Sequence, residues 1–261
     1  MTERVRLLTL YPDELNIYAD RGNLLFLRKR CEWRGIEFES IEARPRESFS
    51  PGDADLIYIG GGQDRDQEAV GFDLLETKGE AVTAFVEMGK PLLAVCGGFQ
   101  LLGRTWSSGD GEEREGLSVF DITTERGSGE RLIGPVAIET DFLYEGLVVA
   151  GFENHAGRTR IGAGAKPFGR VIAGHGNNGE DGTEGALRRN SIGTYLHGPL
   201  LPKNPRLADL LLALALSPTD PDPVGLDPLD DSLEVAAHEE ALEAALRNRK
   251  SRSRRSHAPT G

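Results

Sequence analysis

Apolar residues in the first hundred positions fall into short continuous runs separated by segments of helical spacing. Residues 5–11 form such a run, which Pro12 stops. Residues 55–59 and 91–95 are runs of the same kind, the first ending at Gly60-Gly61-Gly62 and the second at Cys96-Gly97-Gly98. Short apolar runs bounded by turn residues predict strands buried on both faces. Between them, residues 22–34 place Leu24, Leu27 and Cys31 on one side of a helix, residues 36–41 alternate as a strand does, and residues 80–88 read as a helix. Strands alternating with helices predict an α/β fold, a mostly parallel sheet with helices on both faces. From about residue 117 the pattern changes to shorter strands divided by glycine, at 117–124, 133–139, 147–152, 170–173 and 192–196. These predict smaller antiparallel strands in the second half, and residues 206–216 close the domain as an apolar helix.

The first domain is therefore assigned to residues 1–216. Beyond it, Ser-Pro-Thr-Asp-Pro-Asp-Pro at 217–223 cannot continue a helix, and residues 217–230 read as a linker. An appended helix is expected over 231–247, rich in Ala, Leu and Glu, followed by a disordered basic tail at 248–261. That tail alters the charge picture. The chain carries 30 basic and 42 acidic residues, but Arg247, Arg249, Lys250, Arg252, Arg254 and Arg255 sit together without an acid among them. Setting those six aside leaves 24 basic residues against 42 acidic ones, a balance of −18 for the rest. So acidic a body argues against nucleic acid as a partner, because phosphate binding needs clustered Lys and Arg. No run approaches the roughly 18 apolar residues of a membrane-spanning helix, and Met1-Thr2-Glu3-Arg4 begins no signal-peptide pattern. A cytoplasmic protein without an integral membrane segment is expected. Only two cysteines occur, Cys31 and Cys96, so neither a disulfide framework nor a zinc site is expected.

The chemistry concentrates where the strand at 91–95 meets Cys96. A strand ending in cysteine, two glycines and a helical stretch is a nucleophile elbow: the sharp turn lifts the sulfur from the sheet, the helix N-terminus favours thiolate, and the next amide can bind an oxyanion. Gly60-Gly61-Gly62 follows an adjacent buried strand, so its amides can supply the other half of an oxyanion hole. A phosphate cradle fits less well, since neither Gly-Lys-Ser/Thr nor a G-x-G-x-x-G fingerprint is present. Of the five histidines, His238 and His257 fall in the appended segment, whereas His197 ends the strand-like run at 191–196 and would emerge at a strand terminus as Cys96 does. Such a histidine can take the thiol proton and later return it to a leaving amine. Asp64, Asp66 and Glu68 lack metal-site spacing and read as a solvated loop; Cys31 reads as core.

Cys-Gly-Gly-Phe-Gln at 96–100 resembles the nucleophile motif of class I (triad-type) glutamine amidotransferases. Gly-Thr-Tyr-Leu-His-Gly-Pro at 193–199 resembles the histidine motif of their branch related to cobyric acid synthase. Within that branch the chain looks most like the GatD family, glutaminase subunits of lipid II isoglutaminyl synthases. Supporting stretches at 10–13, 20–23, 60–65, 151–155 and 196–205 follow the family's order. The resemblance implies a flavodoxin-like fold of the class I amidotransferase kind and hydrolysis of glutamine to glutamate and ammonia. It implies no cofactor or metal on this chain. The partner it implies is a Mur-ligase-like synthetase subunit, forming a heterodimer, which would bring ATP and magnesium and amidate D-glutamate in lipid II. The complex would work at the inner face of the membrane, in peptidoglycan synthesis. Cys96 is then the nucleophile, the Gly62 and Gly97 amides the oxyanion hole, and His197 the acid and base. Gln100 is implied to contact glutamine and Arg131 to read its α-carboxylate, which suits a planar guanidinium. Beside these roles stand a helix-surface glutamine for Gln100 and a solvated surface arginine for Arg131. His155 belongs to a family-like stretch and is assigned a structural or interface role.

One position departs from the class. Many class I glutaminases carry a glutamate two residues after the histidine, and here that residue is Pro199. Either Cys96 and His197 act as a dyad, or an acid of the partner subunit completes a triad. Three other readings stand beside this one: a glutaminase subunit for a cobyric or cobyrinic acid type acceptor, a free-standing cysteine amidohydrolase, and a non-catalytic regulatory subunit.

Overall fold

A computed structural model describes residues 3–16, 21–107, 109–142, 145–218 and 226–256. The first half runs β1 (Arg4–Leu10), α1 (Arg21–Trp33), β2 (Glu37–Ala43), β3 (Leu56–Ile59), α2 (Asp64–Asp73), α3 (Gly79–Glu87), β4 (Leu92–Val95) and α4 (Gly97–Leu101). The short strands β5 (Thr105–Ser107), β6 (Glu113–Glu115) and β7 (Ile122–Arg126) precede a long hairpin, β8 (Leu132–Thr140) and β9 (Leu147–His155). There follow β10 (Gly157–Ile161), β11 (Gly169–Ala173), β12 (Thr183–Glu184), β13 (Ala186–Arg188), β14 (Ser191–Thr194), α5 (Pro205–Leu216) and α6 (Ser232–Ser256).

The main sheet has six strands in the order β13-β14-β4-β3-β1-β2. All neighbours are parallel except the β13/β14 edge pair. Every residue of β3 and β4 is buried, as expected of central strands covered on both faces. Helix α5 packs against α1, β1 and β3, while Val70, Val82 and Phe85 of α2 and α3 join the same core. Two smaller sheets, β10-β7-β5-β6 and β12-β11-β8-β9, are built mainly from antiparallel pairs. The architecture is the mostly parallel α/β sheet with added antiparallel strands that the hydrophobic pattern implies.

Two segments differ from the sequence reading. Asp64, Asp66 and Glu68 lie in helix α2, not in a loop. Gln63 and Asp66 cap its start reciprocally, and Gln67, Val70 and Gly71 form its buried side. Helix α6 extends to Ser256, beyond the 247 boundary read from the sequence. It is also docked: it packs on β8, β9 and β11, with Ala245 buried against Ala137 and Ala173. The centre of the expected linker, 219–225, and the last five positions, 257–261, lie outside the described residues.

Arg30 fastens three helical segments. Its fully buried guanidinium donates to Asp209 of α5 from Nε at 2.5 Å and Nη2 at 2.6 Å, and from Nη1 to Asp231, just ahead of α6, at 2.6 Å. Removing one side of a buried ion pair costs about 3–5 kcal/mol. Both acids are one-quarter exposed and Asp209 keeps Arg34 at 2.8 Å. Arg30→Ala is therefore expected to cost about 2–3 kcal/mol and to lower the thermal midpoint by roughly 5–10 °C. A midpoint within 1 °C of the parent would contradict this assignment.

Candidate active site

Cys96 follows the last residue of β4 with φ 50° and ψ −104°. A residue with a Cβ avoids such a conformation, which persists only where the surroundings impose it. They do so here. The Cys96 N–H donates to the Thr194 carbonyl at 2.8 Å, continuing the β4/β14 ladder, while Gln100 N–H donates to the Cys96 carbonyl at 3.0 Å and starts α4. The two glycines after Cys96 are required by what lies against them. A Cβ on Gly98 would stand 2.9 Å from the carbonyl oxygens of both Ile59 and Gly60, and its N–H donates to Gly60 O at 3.1 Å. A Cβ on Gly97 would stand 2.9 Å from the Gly62 nitrogen and 2.8 Å from Gln67 Nε2. The glycine loop after β3 therefore sits directly on the turn after β4, and the Gly62 amide faces Gly97. Gln67, absent from the sequence reading, holds that loop by donating from Nε2 to Gly62 O at 3.2 Å. Helix α4 is five residues long. Little aligned dipole accumulates in so short a helix, which weakens the helix-end contribution that the sequence reading credited and puts more weight on single N–H groups at this turn.

His197 arrives from the adjacent strand. In the register of β14 on β4, Thr194 pairs with Val95, so the segments carrying His197 and Cys96 leave the sheet side by side at its carboxyl edge. Glu184 secures the exit of β14: its buried carboxyl accepts from Tyr195 N–H at 2.7 Å and from Thr194 Oγ1 at 3.1 Å. Burial pushes that carboxyl up to about 8, with these donors opposing the shift. The His197 backbone then pairs with Phe152 of β9, its N–H donating at 2.8 Å. His197 is thus held between the main sheet and the β8/β9 hairpin and is buried. Pro199 packs on Gly22 at the start of α1, where a Cβ would lie 2.7 Å from Pro199 Cγ.

A cavity of about 330 Å³ opens over Cys96, the size range of a small-molecule site. Gly62, Cys96, Gln100, Arg131 and His155 all line it, whereas His197 and Gly97 are not among its lining residues. Gln100 Nε2 donates to the Tyr195 hydroxyl at 3.0 Å, which shares hydrogen bonds with Thr159 Oγ1 at 2.6 Å and, through it, Thr124 Oγ1 at 2.7 Å. Gln100 is buried, not the helix-surface residue that the bare sequence allows. Arg131 is exposed at the rim and steadied by Asn154, donating from Nε to Oδ1 and from Nη2 to the carbonyl, both at 2.9 Å. His155 stacks on Tyr195 with centroids 3.7 Å apart. Sequence reasoning gave His155 a structural role; its place on the wall follows from the pairing of β9 with β8, which no local pattern reveals.

Similarity decides the family. Residues 6–205 match the CobB/CobQ-like glutamine amidotransferase domain. The chain belongs to this family. As a CobB/CobQ-like amidotransferase it is 40% identical over 252 residues to the Staphylococcus aureus lipid II isoglutaminyl synthase (glutamine-hydrolyzing) subunit GatD, covering 94% of this chain and 99% of that one. Cobyric acid synthase of Pelotomaculum thermopropionicum is 34% identical over 183 residues, covering 62% of this chain but only 34% of the synthase. The fold of this CobB/CobQ-like chain also superposes on a Thermotoga maritima glutamine amidotransferase with a TM-score of 0.52 at 16% identity, over 95% and 97% of the two chains.

Proposed function

We propose that the chain is the glutamine-hydrolysing subunit of a lipid II isoglutaminyl synthase. The observation that carries this reading is the end-to-end correspondence with GatD, around a cavity that holds Cys96 at a strained elbow with Gly62, Gln100 and Arg131. A cobyric acid type acceptor is the weaker reading, because the correspondence there reaches only a third of the longer enzyme.

In the proposed reaction the Cys96 thiolate, formed by proton transfer to His197, attacks the carboxamide carbon of glutamine. The oxyanion is held by the Gly62 and Gly97 amides. Collapse breaks the carbon–nitrogen bond while His197 gives its proton to the departing ammonia, leaving a γ-glutamyl thioester. His197 then takes a proton from water, hydroxide adds to the thioester, and glutamate leaves as the thiol is restored. Arg131 binds the α-carboxylate of the substrate. Ammonia passes to a Mur-ligase-like subunit that uses ATP and magnesium to activate the α-carboxyl of D-glutamate in the lipid II stem peptide and converts it to D-isoglutamine. This places the complex in the cytoplasm at the inner face of the membrane, where lipid II is presented.

The acid missing at Pro199 comes, in this reading, from the docked partner, which couples hydrolysis to assembly. Without an orienting acid the histidine of such a site loses up to about 10⁴-fold in rate. Glutaminase turnover is therefore expected to rise at least about 100-fold when the synthetase subunit is added. Equal rates for the isolated chain and the complex would rule out a partner-supplied acid and leave the Cys96/His197 dyad or a free-standing hydrolase.

A further inference from the structure

His155 lines the cavity and carries a hydrogen-bonding group that is buried and unmet. Its ring is 1% exposed, and its Nδ1 lies 2.9 Å from the Gly157 carbonyl. A carbonyl only accepts, so Nδ1 bears the hydrogen and Nε2 is a bare lone pair. No group among the described residues donates to that nitrogen. Burial pushes the imidazolium pKa down to about 3, with the charges of Arg158, His197 and Arg131 adding to the effect, so the ring is neutral at any physiological pH. A buried acceptor left without a donor is destabilising, and a donor brought by a ligand would relieve that.

Gln100 presents the same character. Its Nε2 is committed to the Tyr195 hydroxyl, which leaves Oε1 as its acceptor. Tyr195 thus holds both groups, one by a hydrogen bond and the other by stacking. Two neutral acceptors therefore belong to residues that line the cavity with Cys96, while Arg131 at the rim supplies the cation that a carboxylate needs. Of the groups on glutamine, the α-ammonium is the one with three N–H donors and a position next to the α-carboxylate.

Resting on the glutaminase reading, we propose that His155 is a specificity-determining residue whose Nε2 accepts a hydrogen bond from the α-ammonium of glutamine, beside Gln100. It discriminates the amino acid from simple primary amides.

The test compares glutamine with glutaramate, which keeps the carboxamide and carboxylate but lacks the α-ammonium, using the complex with its synthetase subunit. His155→Phe keeps a ring against Tyr195 and removes the acceptor. A hydrogen bond to a charged group contributes about 1.5–3 kcal/mol, so KM for glutamine is expected to rise at least about tenfold with little change in kcat. The preference for glutamine over glutaramate in kcat/KM is expected to fall by the same factor. An unchanged preference, whether both substrates suffer equally or neither does, overturns the inference. Wild-type turnover of glutamine in the same assay separates the two levels: its absence overturns the glutaminase reading and this inference with it. Should the phenylalanine variant not fold, nitrogen NMR of the full-length Cys96→Ala chain gives the answer with His155 intact. Glutamine is expected to shift the unprotonated Nε2 resonance of His155 and glutaramate to leave it in place; identical responses to the two compounds overturn the proposal.

Discussion

Cys96→Ala is expected to abolish glutamine hydrolysis, with a loss of at least about 10⁴-fold in kcat, of the order seen when the nucleophile of a hydrolytic triad is removed. No other thiol can substitute. Cys31, the second cysteine of the chain, is fully buried in α1, and burial pushes its thiol up to about 12, so it carries no thiolate at neutral pH. The variant is expected to remain folded. Alanine keeps the Cβ that Cys96 already places at φ 50°, and the bonds holding the elbow, from Cys96 N–H to Thr194 O and from Gln100 N–H to Cys96 O, are main-chain bonds. A thermal midpoint within about 2 °C of the parent would accompany the lost activity. Residual activity within tenfold of the parent would remove Cys96 from the reaction.

His197→Ala carries the second large effect. General acid and base catalysis contributes about 10²–10⁴-fold, and here the same ring serves both the attack and the departure of ammonia. A loss in the upper part of that range is expected in kcat/KM, since formation of the thiolate and protonation of the leaving group both belong to the acylation half-reaction, up to release of ammonia. The backbone pairing of position 197 with Phe152 needs no side chain and should survive, keeping the hairpin docked. Alkylation of Cys96 by iodoacetamide supplies a second readout: with the base removed, the thiol should react more slowly at pH 7. An unchanged alkylation rate and an unchanged kcat/KM would mean that another group takes the proton.

What the sequence revealed and what it hid divide along physical lines. The central strands β3 and β4 are apolar throughout because both of their faces are covered, and continuous apolar runs are visible without any structure. The Cys96 elbow was legible for a related reason: a strand must end, a sulfur must be presented, and glycine must follow where another main chain lies within 3 Å of the place a Cβ would take. Helix α2 was not legible. Its inward side is only Gln67, Val70 and Gly71, and its acids look like those of a loop until the reciprocal Gln63/Asp66 cap is seen. The docking of α6 was hidden as well, because it rests on alanines packed against alanines and on Arg30 reaching acids some 180 and 200 positions away. His155 falls in the same class. A histidine two residues before a glycine carries no signal; its place on the cavity wall arises when a hairpin of two nine-residue strands pairs Leu132 with His155 and the ring lands on Tyr195.

Hydrolysis requires the Cys96 sulfur to bond to glutamine, and a glutamine-analogue electrophile tests this most directly. After incubation of the complex with 6-diazo-5-oxo-L-norleucine, peptide mass spectrometry should find one adduct, on the peptide carrying Cys96, and excess glutamine should prevent it. Labelling confined to Cys31, or no labelling under conditions where the complex turns over glutamine, would contradict the account.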